Sequence, residues 1–163
     1  MQRTTRWQAI SLLTAAFVTA APAAGAGRSQ LRPPIDEAIR LLGWSRADTP
    51  HIELFANKPR EVSARAKAWV RFTDAGHAVP IIYVWTGSEM YRDAARGNYQ
   101  ARVRLAGVLV HERWHVRHGR DHVGAYNAQL SIMQYLGANS LHMAEVRKAL
   151  VRAEQQARKS ARR

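Results

Sequence analysis

Within Leu109-Val110-His111-Glu112-Arg113-Trp114-His115, a His-Glu-x-x-His pattern sits inside the strongest helical periodicity of the chain, and no other stretch limits so sharply what the chain can build. Val103, Ala106, Val110 and Trp114 recur at three- or four-residue intervals, Asn98 stands where a cap is needed, and Gly119 stands where the helix would close. The spacing predicts a helix over Tyr99–His118. On such a helix residues four apart lie about 40° apart around the axis, so His111 and His115 share a face and can offer imidazole nitrogens to one metal ion. Glu112 is turned about 100° from His111, which sets its carboxylate beside that position. There it can hold a water molecule and move its proton. The plainer reading has two helix-face histidines satisfied by hydrogen bonds, with Glu112 as an N–H or Arg partner. It does not explain why polar residues interrupt the apolar segment Leu105–Val110 where the core would otherwise continue.

The chain has no cysteine, so disulfides and thiolate metal sites are excluded and any metal must be held by His, Asp or Glu. Its formal net charge is +13. Arg3 and Arg6 precede an uncharged, mostly apolar run from Trp7 to Ala24, with small residues at Ala21-Pro22-Ala23 and Ala24-Gly25-Ala26. This is the layout of a signal peptide over residues 1–26, cut after Ala26 or Ala23, and it implies an exported, periplasmic or secreted protein. The run is too rich in Ala and Thr, and too interrupted by Pro22, to predict a stable transmembrane anchor. Removing it takes away two arginines and no acid, so the mature chain stays strongly basic. Much of the excess follows Glu145, where Arg147, Lys148, Arg152, Arg158, Lys159, Arg162 and Arg163 face only Glu154. A solvated basic helix is the plain reading of that tail. An anionic envelope polymer is the partner it would suit, and nucleic acid is not expected.

After the leader, residues 27–34 read as a polar linker with a Pro-Pro pair. Ile35, Ala38, Ile39 and Leu42 predict a short helix ended by Gly43. Three β-like runs follow, His51–Ala56, Ala68–Phe72 and Val79–Trp85, the last bounded by Thr86-Gly87-Ser88, with Pro80 restricted to a strand start or edge. A small, mostly antiparallel sheet is expected. Beyond the motif helix, a second helix is predicted over Asp121–Leu136, with Gly137 after it, and a third from Ser140 into the basic tail. Strands first and helices after them point to one α+β domain over residues 35–163.

On these residues the chain resembles a known group. His111–His115 looks like the active-site helix of the zincin metallopeptidases, and Val79–Trp85 is similar to the edge strand along which those enzymes align an extended substrate. More narrowly, Val110–Gly137 resembles small bacterial proteins of compact gluzincin-like type, through His118-Gly119, Ala125-Tyr126, Gln129-Leu130 and Leu136-Gly137. The resemblance implies zinc, peptide hydrolysis and a third metal ligand beyond the helix. In that group an acidic residue precedes the Ala-Tyr pair, whereas His122 occupies the matching place here, and imidazole can replace carboxylate on zinc. Asp121 is the rival, at the third-ligand spacing of the longer zincin motif. That motif's glycine is missing, since position 118 is His and Gly119 comes one residue late. A more distant carboxylate such as Glu145 is the remaining alternative. His118 is expected on the surface or against substrate, Trp114 in the core, and Tyr126 in packing or beside a developing oxyanion. His51, His77 and His142 carry no motif.

The expected function is a zinc-dependent hydrolase, a metallopeptidase acting on a peptide or protein substrate, with His111, His115 and His122 as ligands and Glu112 as base. An envelope amidase or esterase would use the same site. A non-catalytic basic module for anionic polymers, with a structural or vestigial metal site, belongs to a different class. A coordination position left open toward a cleft favours catalysis, and a closed set of four ligands favours the module.

Overall fold

The computed structural model describes residues 32–162. The leader at residues 1–26 and the first part of the linker therefore lie outside the described residues. Helix α1 (Pro33–Leu41) begins earlier than the sequence suggested and takes Pro33 and Pro34 out of the linker. Proline suits the first helical turn, where φ near −65° is already set and the missing N–H would have had no intrahelical partner. Ile35 and Ala38 are buried, and Gly43 leaves the helix at a φ of 62°.

Strands β1 (His51–Phe55), β2 (Ala68–Phe72) and β3 (Ala78–Trp85) form a three-stranded sheet in the order β1-β3-β2. β2 and β3 are an antiparallel hairpin joined through Gly76, but β1 runs parallel to β3, so the sheet is mixed and not mostly antiparallel as expected. Alternation along a strand fixes which side chains face the core; it carries no information on the direction of the neighbouring strand. The same arrangement makes β3 the central strand. The run Val79–Trp85 is thus not an edge, and its near-continuous apolar stretch is explained by burial of Ile82, Tyr83 and Val84. Pro80 is accommodated because β1 pairing starts only at Ile81 and the β2 ladder has an irregularity between Val70 and Phe72.

A helix the sequence reading missed, α2 (Glu89–Ala95), starts at Ser88, whose hydroxyl accepts from the Tyr91 N–H at 3.2 Å. Thr86-Gly87-Ser88 is therefore both strand end and helix cap. Helix α3 (Tyr99–His118) is capped by Asn98, which accepts from the Ala101 N–H at 3.0 Å, and is closed by Gly119 at a φ of 71°. Leu105, Ala106 and Leu109 pack with Ile52, Val70, Ile82 and Val84 of the sheet and with α1 and α2, while Val103 packs with Met133 and Met143. The motif helix is thus wrapped on most sides, with α4 (His122–Tyr135) and α5 (Ser140–Ser160) completing one α+β unit. Helix α4 lies close against α3, since a Cβ on Gly107 would come within 2.6 Å of the Met133 Cγ.

Candidate metal centre

His111 and His115 leave α3 on one face, and their Nε2 atoms stand 3.2 Å apart. His122, the first residue of α4, comes back across them with its ring centroid 4.7 Å from that of His115 and 6.5 Å from that of His111. The ligating atoms of all three lie within 4.8 Å of one another, close enough to hold one metal ion. No other cluster of three such groups occurs among the described residues.

The fold delivers His122 by a short reversal. Gly119 turns the chain at positive φ, and Asp121 caps α4 by accepting the Gly124 N–H at 2.9 Å. The other Asp121 oxygen accepts the indole N–H of Trp114 at 3.1 Å. Asp121 is thus occupied as a cap and a brace and is absent from the histidine cluster. Glu145, the distant alternative, pairs with Arg104 at 3.3 Å. Trp114 is half-buried and lies against Gly124, where a Cβ would fall 2.5 Å from its ring, so it braces the α3–α4 turn instead of entering the core. His118 is exposed and stacks on Trp114 with centroids 4.1 Å apart.

The spacing of the motif pair suits a tetrahedral ion, with His122 completing a set whose ligating atoms lie within 4.8 Å. Two imidazole nitrogens at 2.0–2.1 Å from such an ion are separated by about 3.3 Å, close to the 3.2 Å between the two Nε2 atoms. The His115 Nδ1 sits 2.7 Å from the Gly119 carbonyl oxygen, which fixes that nitrogen as the donor and leaves the Nε2 lone pair facing the cluster. Burial, reinforced by the neighbouring His115 and His122, pushes His111 down to about 3. Burial also lowers His115, against the pull of the Gly119 carbonyl. Both are neutral near pH 7, the state a metal requires.

Glu112 points between α3 and β2, where it is buried and accepts the backbone N–H of Val70. Burial outweighs that hydrogen bond and raises its carboxyl to about 8. A cation beside it would reverse the balance and favour the carboxylate. Tyr126, one turn into α4, places its ring 4.5 Å from that of His111, and burial together with the charge of Glu112 raises its phenol, which therefore keeps its proton at neutral pH.

These groups line a cleft of about 480 Å³ whose other wall is β2, including Ala68, Trp69, Val70 and Phe72. The chemistry of β2 was not visible in its sequence, because nothing in Ala68–Phe72 marks it as the strand beside the motif. In the sequence Gln129 stands out only through a resemblance. In the fold it is buried one helical turn beyond Tyr126 and near enough to His111 to offset part of its shift, although the buried His111 Nδ1 makes no hydrogen bond of acceptable geometry. Comparison of the chain with protein-family models, curated proteins and solved structures finds no match, and the site is defined by its own geometry: three histidines within reach of one metal ion, beside a buried carboxyl group.

Proposed function

We propose that the protein is an exported zinc-dependent hydrolase of zincin-like fold that cleaves peptide bonds. The observation that carries this reading is the convergence of three imidazoles and one non-ligating carboxyl group on a single open cleft. Three nitrogen donors with an open side suit catalytic zinc, whereas a structural site would be closed by a fourth side chain. Zinc held by His111, His115 and His122 would supply Lewis acidity toward the substrate carbonyl and bring the pKa of water toward ~7.

The remaining work falls to the chain. Glu112, whose carboxyl is anchored by the Val70 N–H, takes a proton from the attacking water as its oxygen bonds to the carbonyl carbon. It returns that proton to the amide nitrogen as the C–N bond breaks, giving a carboxylic acid and an amine. Tyr126, protonated and beside His111, donates a hydrogen bond to the oxyanion that develops on the former carbonyl. Among the described residues β2 is a sheet edge along the same cleft, and its outer side suits an extended peptide.

The test is Glu112→Gln. It should keep about one zinc per chain, measured by elemental analysis, while hydrolysis of a peptide library falls on the order of 10²-fold or more. Undiminished hydrolysis by the variant, or no hydrolysis of any peptide by the zinc-loaded native protein, would overturn the reading.

A further inference from the structure

Three hollows meet at Tyr126. The cleft at the histidine cluster adjoins one of about 590 Å³ between the start of α4 and the last turns of α5, and another of about 600 Å³ between residues 64–67 and the first half of α5. His122 is common to the first two, Arg65 and Lys67 to the cleft and the third, and Arg152 to the second and third. Sharing these walls around Tyr126, the three hollows, together the groove, lie beside the candidate metal centre.

The charge of this groove is one-sided. Besides Glu112, its only carboxylates are Asp121, which is taken up by Trp114 and the Gly124 N–H, and Glu145, which is paired with Arg104. Arg65, Lys67, Arg120, Lys148 and Arg152 line it with no carboxylate within ion-pair distance among the described residues. Ion pairs hold Arg32 with Asp36, Arg96 with Asp93, Arg102 with Glu37 and Arg113 with Asp48, while unmatched arginines such as Arg46, Arg60, Arg92 and Arg147 lie outside the three hollows; what sets the groove apart is that its unmatched cations line one concavity. Two of the groove cations are held in place by rings, Arg120 over Phe72 at 4.8 Å and Lys67 over Trp85 at 5.8 Å. Unmatched cations in a concave, partly apolar channel focus a positive potential onto whatever chain lies in it, and a guanidinium offers a carboxylate two parallel donors.

We propose that this groove selects acidic peptides, with Arg65, Lys67, Arg120 and Arg152 engaging carboxylates near the bond placed at His111, His115 and His122. The inference rests on the peptidase reading above and names its substrate class. Charge is read mainly in binding, so its mark is a change in KM and in the affinity of the inactive protein, with kcat moving less.

The experiment uses the zinc-loaded full-length protein and three peptides of one length, in which Ala alternates with Glu, Gln or Lys. Hydrolysis is measured for the native protein, and binding of the dansylated peptides is measured on Glu112→Gln. The Glu peptide should be preferred over the Gln peptide by tenfold or more at low salt. Arg152→Glu and Arg65→Glu should each reduce that preference about tenfold, whereas Arg147→Glu, an equal charge change on an exposed α5 residue outside the groove, should not. Binding of the Glu peptide with these variant effects, but without hydrolysis by the native protein, would uphold the groove and remove the peptidase reading. Hydrolysis without preference among the three peptides would uphold the peptidase and overturn the groove. A preference equally reduced by Arg147→Glu, or tighter binding of a single-stranded oligonucleotide that is insensitive to Arg65 and Arg152, would also overturn it, because net charge alone would then explain the binding.

Discussion

The indole N–H of Trp114 donates to the carboxylate of Asp121 at 3.1 Å, and this bond ties the last turn of the motif helix to the residue that caps the next. His122 follows Asp121 directly, so the position of the third imidazole is set by a contact made on the opposite side of the turn. Gly124 makes the contact possible, since a side chain there would meet both Trp114 and Asp121.

Removing the third imidazole and removing its brace should therefore have different consequences. His122→Ala is expected to weaken zinc binding by 10²-fold or more in titrations against a competing chelator, as loss of one of three protein ligands does. Asp121→Ala should weaken it only on the order of tenfold, while costing about 1 kcal/mol of folding stability through the lost cap. Equal affinities for native protein and His122→Ala would reject His122 as a ligand.

The metal-free protein should have a stability maximum in mildly acidic solution. Glu112 is raised from 4.5 to about 8, so the folded chain holds a proton that the unfolded chain releases, and its contribution is present below pH 4.5 and lost as pH rises toward 8. His111 is lowered from 6.5 to about 3, so the unfolded chain takes up a proton that the folded chain refuses, and stability is lost as pH falls below 6.5. Urea unfolding of metal-free protein should consequently weaken on both sides of the interval from pH 4.5 to 6.5. Glu112→Gln should flatten the alkaline side and extend the acid loss up to pH 6.5, because nothing then offsets the titration of His111 between 4.5 and 6.5; an unchanged alkaline loss in that variant would show that another group titrates there.

Gly107 should not tolerate a side chain. A Cβ at this position would lie 2.6 and 2.8 Å from the Met133 Cγ and Sδ, and relief requires either a new methionine rotamer or separation of α3 from α4. Gly107→Ala is expected to lower stability by about 1–2 kcal/mol in denaturant unfolding, toward the low end if methionine adapts. A more stable variant would mean that helix propensity outweighs the contact.

Export should leave its mark on the N-terminus. Protein recovered from its native host's envelope or medium is expected to begin at Gly27, or at Ala24 if cleavage follows Ala23, by intact-mass spectrometry. A Met1 terminus on such material would reject processing at either position.

The chain's own pattern determined the local elements that carry two of the three candidate ligands and Glu112. Asn98 and Gly119 bracket the motif helix by satisfying its terminal backbone groups, and periods of 3.6 and 2 mark the helices and the three strands, so these are legible without tertiary contacts. His111, Glu112 and His115 lie within one turn, and their relative directions follow from helix geometry alone. Strand order and direction do not, because β1 runs parallel to β3 only through the long path of residues 56–67 and the packing of both strands under α3. Ser88 bounds a strand in the sequence because a single serine can serve both a turn and a cap, and burial of Met90, Tyr91 and Ala94 decides for the cap. The choice between His122 and Asp121 was likewise tertiary. The two are adjacent, either can ligate a metal, and the Trp114 indole together with the Gly124 N–H occupies Asp121 and leaves the imidazole over the cleft.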